Sequence, residues 1–225
     1  MRHMDGLQFF DPKQELTIAW RSLPHWAQAG TVCFITWRTA DSLPAAVVAR
    51  IARERRELLR GIGFDPDGNW RKELANLPLA ERGRIQWSLF HAWDRQLDRG
   101  AGACVLAQPE LSRMVTDSLL HFDGDRYVLT DAVVMPNHVH ILVAFREEDM
   151  LLTQCSSWKR YTARQIQGAL GQQGAFWQVE QFDHLVRSPE QFAHYRRYIA
   201  ANPRKANLAA GCYRHYSTEL GGVRA

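Results

Sequence analysis

The stretch Arg126 to Phe145, RYVLTDAVVMPNHVHILVAF, decides how this chain folds. Two runs rich in β-branched and aromatic residues, Arg126 to Met135 and His138 to Phe145, flank Pro136 and Asn137, a pair suited to a turn. The segment predicts two antiparallel strands joined by a tight connection, with a further turn upstream at Asp123 to Asp125. Side chains two apart on a strand share a face, so His138 and His140 project together while Val139 points away. Two neutral imidazoles on a rigid strand can converge on one divalent ion. On spacing alone the pair is equally compatible with core or surface histidines.

Working outward, Thr31 to Arg38 follows Gly30 and has strand composition. Asp41 to Pro44 supplies polar capping residues and a proline for a helix over Leu43 to Arg60, whose charges at Arg53 to Glu57 predict an exposed, ion-paired surface. A turn-rich interval spans Gly61 to Asn69. Further helix is expected from Trp70 to Gly100, interrupted at Pro78 and Gly83. Pro109 to Phe122 is an amphipathic helix, with Leu111, Met114, Val115, Ser118 and Leu119 on one face. Helices follow from about Leu151 to Leu170, stopped by Gly168 and Gly171, and from about Pro189 to Ala201, ending before Asn202 and Pro203. This order predicts an α+β fold, a ferredoxin-like antiparallel sheet with packed helices. Residues 1–225 are read as one domain with a helical insertion at about 43–102.

A chain of 225 residues with 46% hydrophobic content can bury one substantial core. No apolar run approaches the roughly 20 residues of a membrane-spanning helix, and residues 1–30 lack a signal-peptide pattern. A soluble, cytoplasmic protein without a membrane partner is expected. Cys33, Cys104, Cys155 and Cys212 form no C-x-x-C pair, so they are expected to be reduced structural thiols rather than a zinc or redox motif. The net charge is +4, but from Ser157 onward there are ten Lys or Arg against four Asp or Glu. Such asymmetry suits a polyanionic partner, and it suits a solvated helical face equally well.

About twenty residues beyond the histidines lies Ser156 to Gln165, SSWKRYTARQ. On a helix, Tyr161 and Gln165 stand one turn apart on the same face. Gln165 can offer a carbonyl oxygen to a metal, and the Tyr161 phenolate can attack a polarised phosphodiester. An ordinary packed aromatic beside a solvated glutamine has the same spacing.

Val134 to Leu142, VMPNHVHIL, taken with Trp158 to Gln165, WKRYTARQ, resembles the histidine-hydrophobe-histidine and tyrosine-helix motifs of REP-associated tyrosine transposases. Further matching pieces are LPHW at Leu23 to Trp26, DSLP at Asp41 to Pro44, Phe176 with Trp177, FDHLVR at Phe182 to Arg187, and YIAANPRKA at Tyr198 to Ala206. The resemblance runs from about Ser22 to Leu208.

That resemblance implies a single-tyrosine HUH nuclease fold that nicks and rejoins single-stranded DNA at palindromic, REP-type hairpins through a 5′-phosphotyrosine. It implies His138 and His140 as ligands of Mg²⁺ or Mn²⁺ in an open cleft, Gln165 as third ligand and Tyr161 as nucleophile. It also implies a bacterial, nucleoid-associated protein, monomeric rather than homodimeric. The helical segment from about Leu43 to Gly102 departs from the shorter members. Lys159, Arg160, Arg164, Arg187, Arg196, Arg197, Arg204 and Lys205 are expected to contact phosphate, and Trp158, Trp177 or Tyr195 to stack on unpaired bases. Two other readings remain open: a hairpin-binding protein that no longer cuts, and a phosphodiesterase that uses water while Tyr161 orients the substrate.

Overall fold

A computed structural model describes residues 7–20 and 24–218; Ser22 and Leu23, at the start of the resemblance, fall outside them. In chain order the strands are β1 (Thr17–Trp20), β2 (Pro24–Ala27), β3 (Val32–Arg38), β4 (Tyr127–Val134), β5 (His138–Phe145), β6 (Phe182–Leu185) and β7 (Arg214–Ser217). The helices are α1 (Ala45–Gly61), α2 (Trp70–Asn76), α3 (Leu79–Leu97), α4 (Pro109–Leu120), α5 (Met150–Leu170) and α6 (Pro189–Lys205). β1 and β2 form a separate hairpin, and the other five strands form one sheet in the order β6-β3-β5-β4-β7, every neighbour antiparallel. The succession β3, α4, β4, β5, α5, β6 is the split β-α-β motif of ferredoxin-like folds, with β7 added at one edge.

All eight residues of β5 are buried, which is the expected consequence of a central strand covered on both faces. Val139, Ile141 and Val143 join Ile35, Trp37 and the apolar sides of α4 and α5. Leu142 and Ala144, on the alternate face, join Phe34 and the α6 residues Phe192, Tyr195, Tyr198 and Ile199. The two histidines belong to this second face. A register shift between Leu129 and Asp131 bulges β4, and Asp131 then pairs with Leu142, on the α6 side.

There Asp131, 2% exposed, accepts two hydrogen bonds from Arg196 Nε at 3.1 and 2.9 Å. Arg196 Nη2 also donates to Ser217 Oγ and the Thr218 carbonyl, tying α6 to β4 and β7. The guanidinium that the sequence placed against phosphate is engaged within the fold. Arg196→Ala leaves the buried carboxylate with Ser217 Oγ as its remaining side-chain donor among the described residues, and should cost about 3 kcal/mol. Urea unfolding should show a lower midpoint at unchanged slope; an unchanged midpoint would mean the ion pair contributes nothing.

Between β3 and α4, the helical segment makes its own small clusters: Leu59, Trp70, Leu74 and Ile85 in one, Leu43, Ile51 and Leu97 in another. The polar residues before α1 do not cap it. Asp41 Oδ2 accepts from the Ala103 amide, which fastens the two ends of the segment together, while Ser42 Oγ donates to the Thr39 carbonyl within the turn before α1. Gly83 does not interrupt α3. A Cβ there would lie 2.3 Å from the Arg187 guanidinium, so glycine permits a close crossing rather than a break.

α6 likewise continues four residues past its expected end, through Pro203 to Lys205. A proline in the last turn forfeits one backbone hydrogen bond. Burial of Tyr198, Ile199, Asn202 and Pro203, with carbonyls of Asn202 and Pro203 accepting from Ala206 and Leu208, holds the turn in place. The short strands β1, β2, β6 and β7 have four residues each, too few for a periodic signal. β2 and β6 are joined by a buried hydrogen bond between His25 and Asp183, which links the LPHW and FDHLVR pieces. No helix among the described residues is long and apolar enough to cross a membrane.

Candidate active site

The sheet register sets the site. His138 lies opposite Arg38 and His140 opposite Thr36, so these four side chains share the α6 face. The two imidazole centroids are 4.7 Å apart and nearly perpendicular. Asn137 orients the first ring. Its Nδ2 donates to the carbonyls of Ala101 and Leu97, which turns Oδ1 toward His138 Nδ1 at 2.7 Å. An amide oxygen only accepts, so Nδ1 carries the proton and Nε2 keeps its lone pair. A hydrogen bond of 2.6 Å joins His140 Nδ1 to Thr36 Oγ1. Such partners on the far nitrogen are the usual means of aiming a metal-binding histidine.

Neither ring lies in the open cleft expected from the sequence: His138 is 1% and His140 0% exposed. The reason is that β5 is the central strand and α6 packs on this face, with Tyr198 edge-on against His140. Burial pushes the His138 pKa down to about 3. Burial, the neighbouring His138 and the Lys205 charge push His140 well below the ordinary imidazole value. Both rings are therefore neutral at pH 7, the state in which imidazole binds a metal.

His138 Nε2 is buried with no hydrogen-bond partner among the described residues, as are both polar atoms of Asn202. Leaving such groups unpaired in a dry interior is costly, so orphaned donor atoms beside a histidine pair fit a divalent cation. Among the described residues no cluster of three or more His, Cys, Asp or Glu could hold one. Among the described residues, further ligands would be amide oxygens, with water or substrate oxygens beside them, which a hard cation such as Mg²⁺ accepts readily.

Tyr161 and Gln165 lie on α5, whose buried side chains, among them Trp158 and Ile166, pack on the opposite face of the sheet. Tyr161 is 54% exposed and Gln165 is exposed, and neither hydrogen-bonds to the histidines. α5 nevertheless runs toward the same end of the sheet. Trp158 stacks on Trp37, the β3 partner of Val139, and Thr162 one turn on accepts from Trp177 Nε1. Gln165 is exposed although the next residue, Ile166, is fully buried, so it stands at the margin of the packed face of α5, one turn from Tyr161.

The basic residues divide. Arg160, Arg164, Arg197, Arg204 and Lys205 are exposed. Lys159 Nζ donates to the Val179 carbonyl and Gln181 Oε1, bracing α5 against the chain leading into β6. Arg38, which nothing in the sequence singled out, is half-buried beside His138, with a pKa lowered by burial to about 10, and so stays charged at pH 7. Trp158, Trp177 and Tyr195 are core residues, which withdraws them as stacking platforms.

A cleft of about 290 Å³ lies between α3 and α6, lined in part by Arg84, Trp87, His184, Arg187 and His194. Burial, then the nearby Arg187, lower the His184 pKa to about 4, and Gln191 Nε2 donates to its Nε2. A histidine depressed from about 6.5 gives stability that is complete above that value and lost as pH falls toward 4. His184→Gln should therefore shrink the stability lost between pH 7 and 4.5 by about 2–3 kcal/mol, measured by urea titration at both values. An equal acid loss in wild type and variant would show that His184 is not held neutral.

No protein-family model matches the chain, and no curated protein matches it. Among solved structures, the chain is similar to a REP-associated tyrosine transposase bound to a REP hairpin, at 15% identity over 85% of this chain and 75% of that one, with a TM-score of 0.38.

Proposed function

We propose that this protein is a metal-dependent single-strand DNA nickase and rejoining enzyme of the HUH tyrosine transposase type, acting at palindromic, REP-type hairpins. The observation that carries this reading is the pair His138 and His140, neutral and aimed by Asn137 and Thr36 from the central strand. Beside it stand the tyrosine helix that the sequence motif calls for and the exposed cations of α5 and α6.

In this mechanism His138 and His140 hold the cation, and Gln165 brings an amide oxygen from the α5 side. Bound there, Mg²⁺ or Mn²⁺ would supply positive charge to a non-bridging oxygen of the scissile phosphate. Arg38 and Lys205 add fixed positive charge around the histidines, and exposed cations such as Arg160, Arg164, Arg197 and Arg204 follow the strand's phosphates. Tyr161 Oη attacks phosphorus as its proton leaves, the bond to the 3′ oxygen breaks, and that oxygen departs as a 3′-hydroxyl. The phosphotyrosine ester retains the energy for rejoining, because a 3′-hydroxyl of another strand can displace the phenol in the reverse sense. Since the histidines are buried and Tyr161 is open, loading would require the packing over that face of β5 to open. The test is covalent capture: wild-type protein with Mg²⁺ and a single-stranded hairpin labelled 3′ to the cleavage point should become labelled in a denaturant-resistant band. Tight hairpin binding without any such band would instead favour the non-cleaving binder.

A further inference from the structure

Asn202 is fully buried on α6, and neither its Oδ1 nor its Nδ2 has a hydrogen-bond partner among the described residues. A carboxamide in that position is expensive to keep and must answer to something. Its neighbours say what it faces. Tyr195 stacks on Phe34, whose β5 partner is Leu142, with ring centroids 4.4 Å apart. One turn further along α6, Tyr198 meets both Phe34 and His140 edge-on, at 5.9 and 5.4 Å. α6 therefore advances along β5 from Leu142 toward His138. The next turn carries the helix about 6 Å, and the step from His140 to His138 is about 6.8 Å.

Asn202, four residues after Tyr198, thus arrives level with His138, whose Nε2 is also unpartnered. Lys205 closes the same helical face, its Nζ 4.6 Å from the centre of the Tyr198 ring. Asn202 stands between the two.

We infer that Asn202 belongs to the cation site: its Oδ1 is an oxygen ligand of the divalent ion held by His138 and His140, and its Nδ2 is left to donate to a phosphate oxygen. This rests on the metal-dependent reading proposed above. It adds a donor from α6, on the histidines' own face of the sheet, to the one expected from α5. Chemically it fits a hard cation, which takes six or more oxygen or nitrogen ligands and accepts a neutral amide oxygen among them.

The test measures Mn²⁺ binding to the full chain without DNA, by calorimetry and by the Mn²⁺ spin-resonance signal, with thermal unfolding in chelator as the folding control. Asn202→Leu keeps the branched shape and removes both polar atoms. It should weaken Mn²⁺ binding by about 10-fold or more, while metal-free unfolding temperature holds or rises by about 2–4 °C as an orphaned polar group disappears. Asn202→Asp, nearly isosteric, should tighten Mn²⁺ binding, because an anionic oxygen replaces a neutral one, and it decides the matter if the leucine variant does not fold. In wild type, the Asn202 side-chain amide resonances should vanish at substoichiometric Mn²⁺, a readout that needs no variant. If Mn²⁺ binds wild type and both Asn202 variants alike, or those resonances persist with Mn²⁺ bound, while His138→Gln abolishes binding, Asn202 is not a ligand and the histidine site stands. If His138→Gln binds Mn²⁺ as wild type does, the metal reading itself fails.

Discussion

Tyr161→Phe protein, given Mg²⁺ and a labelled single-stranded hairpin, should form no covalent adduct and leave no nick, with cleavage down by at least about 1,000-fold. The substitution removes one oxygen and keeps the ring. Because Tyr161 is 54% exposed and makes no hydrogen bond among the described residues, folding stability should change by less than about 0.5 kcal/mol. Hairpin affinity should also survive, since the proposed phosphate contacts are those of the cations of α5 and α6 and not of the phenol. Normal cleavage by this variant would make water or another residue the nucleophile. An adduct in the variant would move the covalent bond to another side chain.

The second large effect is at His138. His138→Ala should abolish cleavage and Mn²⁺ binding together, because it removes a buried nitrogen whose lone pair is fixed by Asn137. Unlike an exposed ligand, this ring fills part of the layer between β5 and α6, so the variant should also lose about 1–3 kcal/mol of stability. Activity is therefore compared at about 15 °C, at equal folded fraction. A folded His138→Ala protein that cleaves with unchanged Mg²⁺ dependence would remove the histidine pair from the chemistry.

The core of the fold was readable because its signals are local. β4 and β5 announce themselves by composition and by the Pro136–Asn137 turn, and the amphipathic pattern of Pro109 to Phe122 yields α4 directly. The face shared by His138 and His140 follows from strand geometry alone. Burial of those rings does not, because it depends on what the fold packs over that face of β5, α6 with Tyr198 against His140 among it. Pro203, which reads locally as a stop, hid Asn202, which a helix ending at Ala201 would have left in solvent. Arg38 was invisible for another reason: its place beside His138 is a pairing across 100 residues of sequence, set by the β3–β5 register. The sites of Trp158, Trp177 and Tyr195 were ambiguous for the opposite reason, since an aromatic suits a base and a core equally well.

The amide of Asn137 has one further consequence. It is held by the carbonyls of Leu97 and Ala101, and both belong to the helical segment that lies between β3 and α4. Without those two acceptors the amide is free to rotate by half a turn, presenting Nδ2 to the ring and forcing the proton from Nδ1 to Nε2, where it would block the lone pair. The segment and the histidine are thus not interchangeable parts. A variant that trims residues 43–102, however well it folds, loses both acceptors and with them the device that fixes the proton on His138 Nδ1.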